Sequence, residues 1–281
     1  MSNKKYEFPL SDIPESLVRN ISRILQNFST PLIKVYENNA QLIGSGTFIS
    51  VENLDGILTA NHVSDVLSKQ SDLGIMLQIE QEEKFTIPFN QLKIITVGKG
   101  EEESEGPDLS MIILPKPKVS TIKAYKTFYN LKKDRQKILS EPLPLDSAPW
   151  FICGNPEEKI AEEETEHFGH GSIMAIHSFC GLTGADMEIS RGKFDYIDVG
   201  AVYTEPNKPP QSFRGFSGGG LWQVPLIGKE IKDLKPADYL LSGVIYYQSA
   251  LKDNFRFVRC HGKKSIYDVL YNTVILEQNL S

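Results

Sequence analysis

The chain has 281 residues, 40% of them hydrophobic and 23% charged, enough apolar material for one large domain or two lobes of ordinary size. A net charge of −6, from 30 Lys+Arg against 36 Asp+Glu, argues against a nucleic-acid surface, which needs clustered positive charge. No stretch reaches membrane-spanning length, the amino terminus lacks a signal-peptide apolar core, and Cys153, Cys180 and Cys260 are odd in number and far apart, unlike a disulfide framework. These features lead us to expect a cytoplasmic protein without a membrane partner.

Residues 14–28 place Leu17, Ile21, Ile24 and Leu25 at helical spacing, behind the cap candidates Ser11 and Asp12. After Pro31 the period changes. LIKVY, LIGSGTFISV and GILTA read as short β runs, NHVSDVLSK as one or two helical turns, and GIMLQIEQ, KFTIPF, LKIITVG and LSMIIL as further β runs. The acidic run EEESE at 101–105 reads as a solvated loop, as does EEKIAEEETE at 157–166. Residues 115–147 break the rhythm: PKPK, a basic amphipathic YKTFYNLKKDRQKIL, then EPLPLDSAP, with proline at both margins as in a linker. The β signals resume in WFICG, GSIMAIHSFC, FDYIDVGAVY, GLWQVPL, YLLSGVIYY and NFRFVRC. Ile266, Val269, Leu270 and Val274 then mark a terminal helix. Many short strands without alternating long helices predict an all-β antiparallel barrel or sandwich. The division is a helical lead-in at 1–29, a first β lobe at 30–116, a linker at 117–147, a second β lobe at 148–262 and a helix at 263–281.

The chemistry concentrates in RGFSGGG at 214–220, where Ser217 centres a G-x-S-x-G pattern shared by two unrelated kinds of serine hydrolase. A serine hydroxyl is a poor nucleophile until a base takes its proton, and the base needs an orienting partner. His62 in GILTANHV stands between an apolar strand and a helical turn, and Asp108 in GPDLSMIIL directly precedes a strand. In a nucleophile elbow the acid and histidine follow the serine and a helix follows the strand. Here GGGLWQVPL is glycine-rich, then β-like and stopped by Pro225, so we set that fold aside.

The ordered pieces GSGTFI (44–49), LTANHV (58–63), DLSMIIL (108–114), FICGNP (151–156) and GFSGG (215–219) resemble the trypsin-like (chymotrypsin-fold) serine peptidases over residues 30–260. The resemblance implies two six-stranded antiparallel β-barrels, here with an N-terminal and a C-terminal helix, and a site in the cleft between the barrels. It implies catalytic roles for His62, Asp108 and Ser217, and an oxyanion hole formed by the N–H groups of Gly215 and Ser217. No cofactor or metal is expected. His167, His170, His177 and Cys180 have a loosely zinc-like spacing, but a strand through HSFC would put His177 and Cys180 on opposite faces.

The pattern departs from the family at specificity and activation. Where the digestive members carry a carboxylate six residues before the nucleophile, Gln211 stands here, so a basic P1 preference by that route is not expected. Gln211, Arg214, Tyr246, Tyr247 and Gln248 are the candidate substrate contacts. One of Arg256 and Arg259, which face opposite ways, would favour an acidic or polar P1 side chain if it pointed into the pocket. Phe216 replaces the aspartate that zymogen-type members pair with a new amino terminus, leaving control by a partner protein or by a local rearrangement of the 211–216 loop. The expected function is regulatory proteolysis of a protein substrate. The alternatives are a silent peptidase-fold binding module or an esterase using the same triad.

Overall fold

The computed structural model describes residues 12–35, 40–68, 75–78, 84–102, 104–165, 171–202 and 210–280. Helix α1 (Glu15–Gln26) starts at an N-cap Pro14 with no side-chain cap bond, rather than at the expected Asp12; Ser11 lies outside the described residues. Its buried positions are Ile21 and Leu25, one turn apart. Among the described residues no helix is long and apolar enough to cross a membrane.

The first lobe comprises β1 (Ser29–Val35), β2 (Ala40–Val51), β3 (Leu54–Thr59), α2 (Asn61–Ser68), β4 (Ile75–Gln78), β5 (Lys84–Ile87), β6 (Lys93–Lys99) and β7 (Asp108–Ile113). The strands pair antiparallel in the order β5-β4-β1-β2-β3-β7-β6. Among the described residues these pairings form an open path, so one closed barrel is shown, the one in the second lobe. Pro88 follows the four-residue β5 and leads into a short 3-10 turn, so the ladder does not continue directly into β6.

The 117–147 segment is not one basic helix. Pro115 and Pro117 open α3 (Lys116–Lys123), since a proline at the first helical positions lacks only an N–H that has no intrahelical partner. The chain then extends as β8 (Tyr129–Asn130), which pairs parallel with β2. Helix α4 (Arg135–Ser140) follows Asp134, whose φ of +56° interrupts any continuous helix. Tyr129 reaches the second lobe and lies 5.4 Å from Trp222, ring to ring.

The second lobe contains β9 (Trp150–Gly154), β10 (Ile160–Thr165), β11 (Gly171–Ile176), β12 (Phe179–Arg191), β13 (Phe194–Val202), β14 (Gly220–Gln223), β15 (Leu226–Ile227), β16 (Lys235–Pro236), β17 (Leu240–Gln248) and β18 (Phe255–His261). Six of these close an antiparallel barrel in the order β12-β13-β18-β17-β14-β9. Alternate residues fill it: Trp150 and Ile152, Ile197, Val199 and Ala201, Val258 and Cys260 are all buried in one cluster. A π-helical turn (Ser265–Leu270) runs into α5 (Tyr271–Asn279), and Asp195 fixes its start by accepting the N–H groups of Lys264 and Ser265.

The lobes meet over aromatic rings. Trp222, 1% exposed, packs 5.0 Å from Phe28, and the Tyr267 hydroxyl donates to Leu241 O at 2.9 Å. Trp222→Ala is expected to cost about 3–5 kcal/mol through lost burial and the cavity left behind. Urea unfolding would check this, and a loss below about 1 kcal/mol would mean that the seam collapses to fill the space.

Candidate active site

His62 lies in the first turn of α2, directly after β3, and Asp108 is the first residue of β7. The Asp108 carboxylate engages His62 twice: Oδ2 lies 2.5 Å from Nδ1, and Oδ1 accepts the His62 backbone N–H at 2.8 Å. The imidazole side chain is 40% exposed while the carboxylate is 10% exposed, so a sheltered acid orients a ring that solvent can reach. A hydroxyl chain ties α2 to β7, with Ser110 Oγ donating to Ser64 Oγ at 2.8 Å and Ser64 Oγ donating to Asn61 O at 2.9 Å.

The glycine-rich loop sits in the second lobe just before β14. Gly215 and Gly218 have φ of +86° and +92°, a region that side-chain-bearing residues rarely adopt. There is also no room: a Cβ on Gly218 would lie 2.0 Å from Ser45 O, and one on Gly215 would lie 2.3 Å from Asn155 O. Ser45 of β2 organises this contact. Its N–H donates to Ser217 O at 2.8 Å and its hydroxyl donates to Gly215 O at 2.5 Å. The same hydroxyl accepts the backbone N–H of Asn155 at 2.9 Å and its side-chain amide at 3.2 Å, which fills its one donor and two acceptor places. A Cβ on Gly44 would lie within 3 Å of both Ser217 O and the Val63 side chain, so Ser217 is close to the residue that follows His62.

Arg214 O accepts the Glu157 N–H at 2.9 Å. In a trans peptide the carbonyl and the next N–H point opposite ways, so the Gly215 N–H is directed away from Glu157. Neither the Gly215 N–H nor the Ser217 N–H donates to a described residue, and the half-buried Ser217 hydroxyl has no hydrogen bond to one. Phe216 is fully buried, with ring centroids 5.0 Å from Phe213 and 5.9 Å from Phe179.

Behind Asp108 the second lobe supplies a layer that sequence reasoning missed. His261, at the end of β18, accepts the Asp108 N–H on Nε2 at 2.9 Å. Arg259 binds Asp198 through two bonds of 2.7 Å and donates to Ser104 O at 2.8 Å, while Arg191 pairs with Glu105. Part of the acidic run is therefore docked on the second lobe rather than simply solvated. Burial pushes His261 down to about 4, although the nearby Asp108 carboxylate raises it.

Among the specificity candidates, Gln211 and Arg214 are exposed. Tyr246 is 3% exposed and packs on His261 and Tyr196, so its side chain is not free to meet a substrate. Gln248 Oε1 accepts the Phe213 N–H at 2.9 Å and a bond from Arg256, while Tyr247 is half-buried beside Phe257. Arg259, committed to Asp198, is the arginine excluded from a pocket role. His177 falls in the exposed turn between β11 and β12 rather than within a strand, and His167 and His170 lie outside the described residues. Cys153 and Cys180 are cross-strand partners, a juxtaposition that their spacing does not disclose. A hydrogen bond with Cys180 and burial push the Cys153 thiol well above its usual range.

No protein-family model matches the chain, and no curated protein matches it. It is similar to a solved structure from work on aromatic interactions in the coupled folding and binding of the intrinsically disordered Sesbania mosaic virus VPg protein. That likeness has a TM-score of 0.44 and 13% identity, over 88% of this chain and 97% of that one, and it carries no argument about function.

Ser45→Ala would strand buried partners of the hydroxyl, and is expected to cost about 1–3 kcal/mol for each group left unpaired. A drop in urea midpoint at unchanged slope checks this. Acid should also weaken the fold through His261. Above its ordinary value of 6.5 the ring is neutral in both states; as pH falls toward about 4 the unfolded chain takes up a proton that the folded one refuses. Stability attributable to His261 is therefore present at neutral pH and lost between 6.5 and 4, by at most about 3 kcal/mol. The groups facing the ring are Asp108, Tyr196, Tyr246 and Phe194. Comparing the loss between pH 7 and pH 4.5 in the parent and in His261→Gln isolates this contribution; equal losses would refute it.

Proposed function

We propose that the chain is a cofactor-independent serine endopeptidase of the two-barrel, trypsin-like kind, acting on protein substrates. The observation that carries this reading is the doubly hydrogen-bonded His62–Asp108 pair at the boundary between lobes, on the side where the Ser217 loop seats against β2.

In this mechanism His62 takes the Ser217 proton as the hydroxyl attacks the scissile carbonyl. Asp108 holds the proton on Nδ1, so that Nε2 faces the serine, and stabilises the imidazolium that forms. The oxyanion of the tetrahedral intermediate is met by the N–H groups of Gly215 and Ser217, which have no partner among the described residues. His62 then returns the proton to the leaving amine, leaving an acyl-enzyme that water hydrolyses by the same route. The absent Ser217–His62 bond is compatible with this, because catalytic hydrogen bonds are often long before substrate binds. The first lobe serves as the other barrel of the pair, and three free cysteines suit a reducing, cytoplasmic site of action. Regulation by an activating partner protein completes the proposal.

The test is covalent labelling by a fluorophosphonate. The parent should label, Ser217→Ala and His62→Ala should not, and Asp108→Asn should label about 10⁴-fold more slowly through the wrong tautomer. Labelling that survives in Ser217→Ala would sink the assignment. Ester turnover without peptide cleavage would move the function to an esterase. A parent that stays unlabelled and cleaves nothing would leave two readings, a binding module or an enzyme that waits for its activating partner.

A further inference from the structure

His261 is a costly residue for its position. It is fully buried, with its ring centroid 4.8 Å from Tyr246, 5.1 Å from Tyr196 and 5.8 Å from Phe194. An aromatic box of this kind would accept phenylalanine at a lower desolvation cost. Because Nε2 accepts the Asp108 N–H, the neutral ring carries its proton on Nδ1, and that buried atom has no partner among the described residues. The site thus tolerates an unpaired buried donor, which native structures rarely keep without a reason. What histidine supplies here and phenylalanine cannot is the Nε2 acceptor.

The acceptor acts at a sensitive place. Asp108 is the first residue of β7, where the strand ladder ends, and its backbone N–H is committed to a side chain from the other lobe. Its two carboxylate oxygens are both committed to His62. One residue therefore joins His62 in front to His261 behind. We propose that His261 is a positioning residue: by accepting the Asp108 N–H across the lobe boundary it sets where the carboxylate meets His62, and so links triad geometry to the docking of the lobes. This rests on the proposed triad, with Asp108 as its acid.

β18 widens the consequence. The strand that carries His261 also carries Arg259, which holds Ser104 O upstream of Asp108, and it leads into the Asp195-anchored start of the C-terminal helix. The segment that ends at Asp108 is thus held from the second lobe at two points, Ser104 and Asp108, four residues apart in sequence.

Three substitutions separate this role from plain packing. His261→Phe keeps the ring and loses the acceptor, while His261→Met and His261→Gln form a matched pair of similar length that differs in the amide. Fluorophosphonate labelling rates should fall on the order of 100-fold in H261F and H261M, the loss expected for a small misplacement of a catalytic group. H261Q, whose amide oxygen accepts the same N–H, should recover most of that rate. Melting temperatures measured alongside should not rank the variants in the same order. The low-field proton resonance of His62 Nδ1–H, assigned by its absence in His62→Ala, gives a readout that needs no activity: it should weaken or shift in H261F and H261M and return in H261Q. Equal labelling rates in H261M and H261Q overturn the positioning role and leave the triad standing. If the parent does not label, the resonance decides alone: an unchanged His62 signal across the three variants overturns the positioning role.

Discussion

The arrangement turns on one buried hydroxyl. Ser45 Oγ gives its only proton to Gly215 O and receives two N–H groups from Asn155, so three segments from two lobes close on a single atom. A group with every lone pair and proton matched, and shielded from water, tolerates little displacement, because each broken bond exposes a desolvated partner. The Ser45 N–H repeats the constraint by holding Ser217 O. The glycines follow from this closeness: Gly44 and Gly218 are positions where a Cβ would strike the opposite lobe. In the proposed enzyme, β2 acts as the template against which the nucleophile loop is set.

Local pattern made much of this legible. The β runs of the second lobe alternate because alternate residues face a closed barrel, and Val258/Cys260 and Ile197/Val199/Ala201 occupy its interior accordingly. His62 and Asp108 were readable because each stands where a strand meets a turn, a mount that needs no knowledge of distant partners. The internal structure of the 115–147 segment was hard to read because proline signals a break in the middle of a helix but is compatible with the start of one, and α3 starts there. The strand order of the first lobe was not visible either, since which strands pair is not written into the period of any one of them.

What stayed hidden has a common cause. Ser45 with Asn155, His261 with Asp108 and Arg259 with Ser104 are contacts over 110, 153 and 155 residues. Periodicity tells which face a residue takes, but not which side chain waits on the other side of a seam. The acidic run shows the same limit. Charge density alone makes 101–105 a solvated loop, and only the fold brings Arg191 and Arg259 beside Glu105. The one trace left in the sequence is chemical: His261 and Arg259, in one apolar strand run, are expensive to bury, and they turn out to hold Asp108 itself and the segment leading to it.

Phe216 bears on control. In the family that the sequence resembles, a carboxylate before the nucleophile gives the oxyanion loop a switch, since an ion pair can be made by cleavage elsewhere. Here that place is a fully buried ring in a cluster with Phe213 and Phe179, and a Cβ on Gly154 would lie 2.6 Å from it. Apolar packing has no titratable or cleavable partner, so it holds the loop whenever the barrel is folded. Any on–off control of the proposed enzyme must then act on a different joint. The seam between lobes is the natural one, because both the Ser45–Gly215 bond and the His261–Asp108 bond cross it and the residues of the proposed triad lie on its two sides. A partner that shifts one lobe against the other would alter the proposed oxyanion loop and the proposed acid together, with no change inside either core.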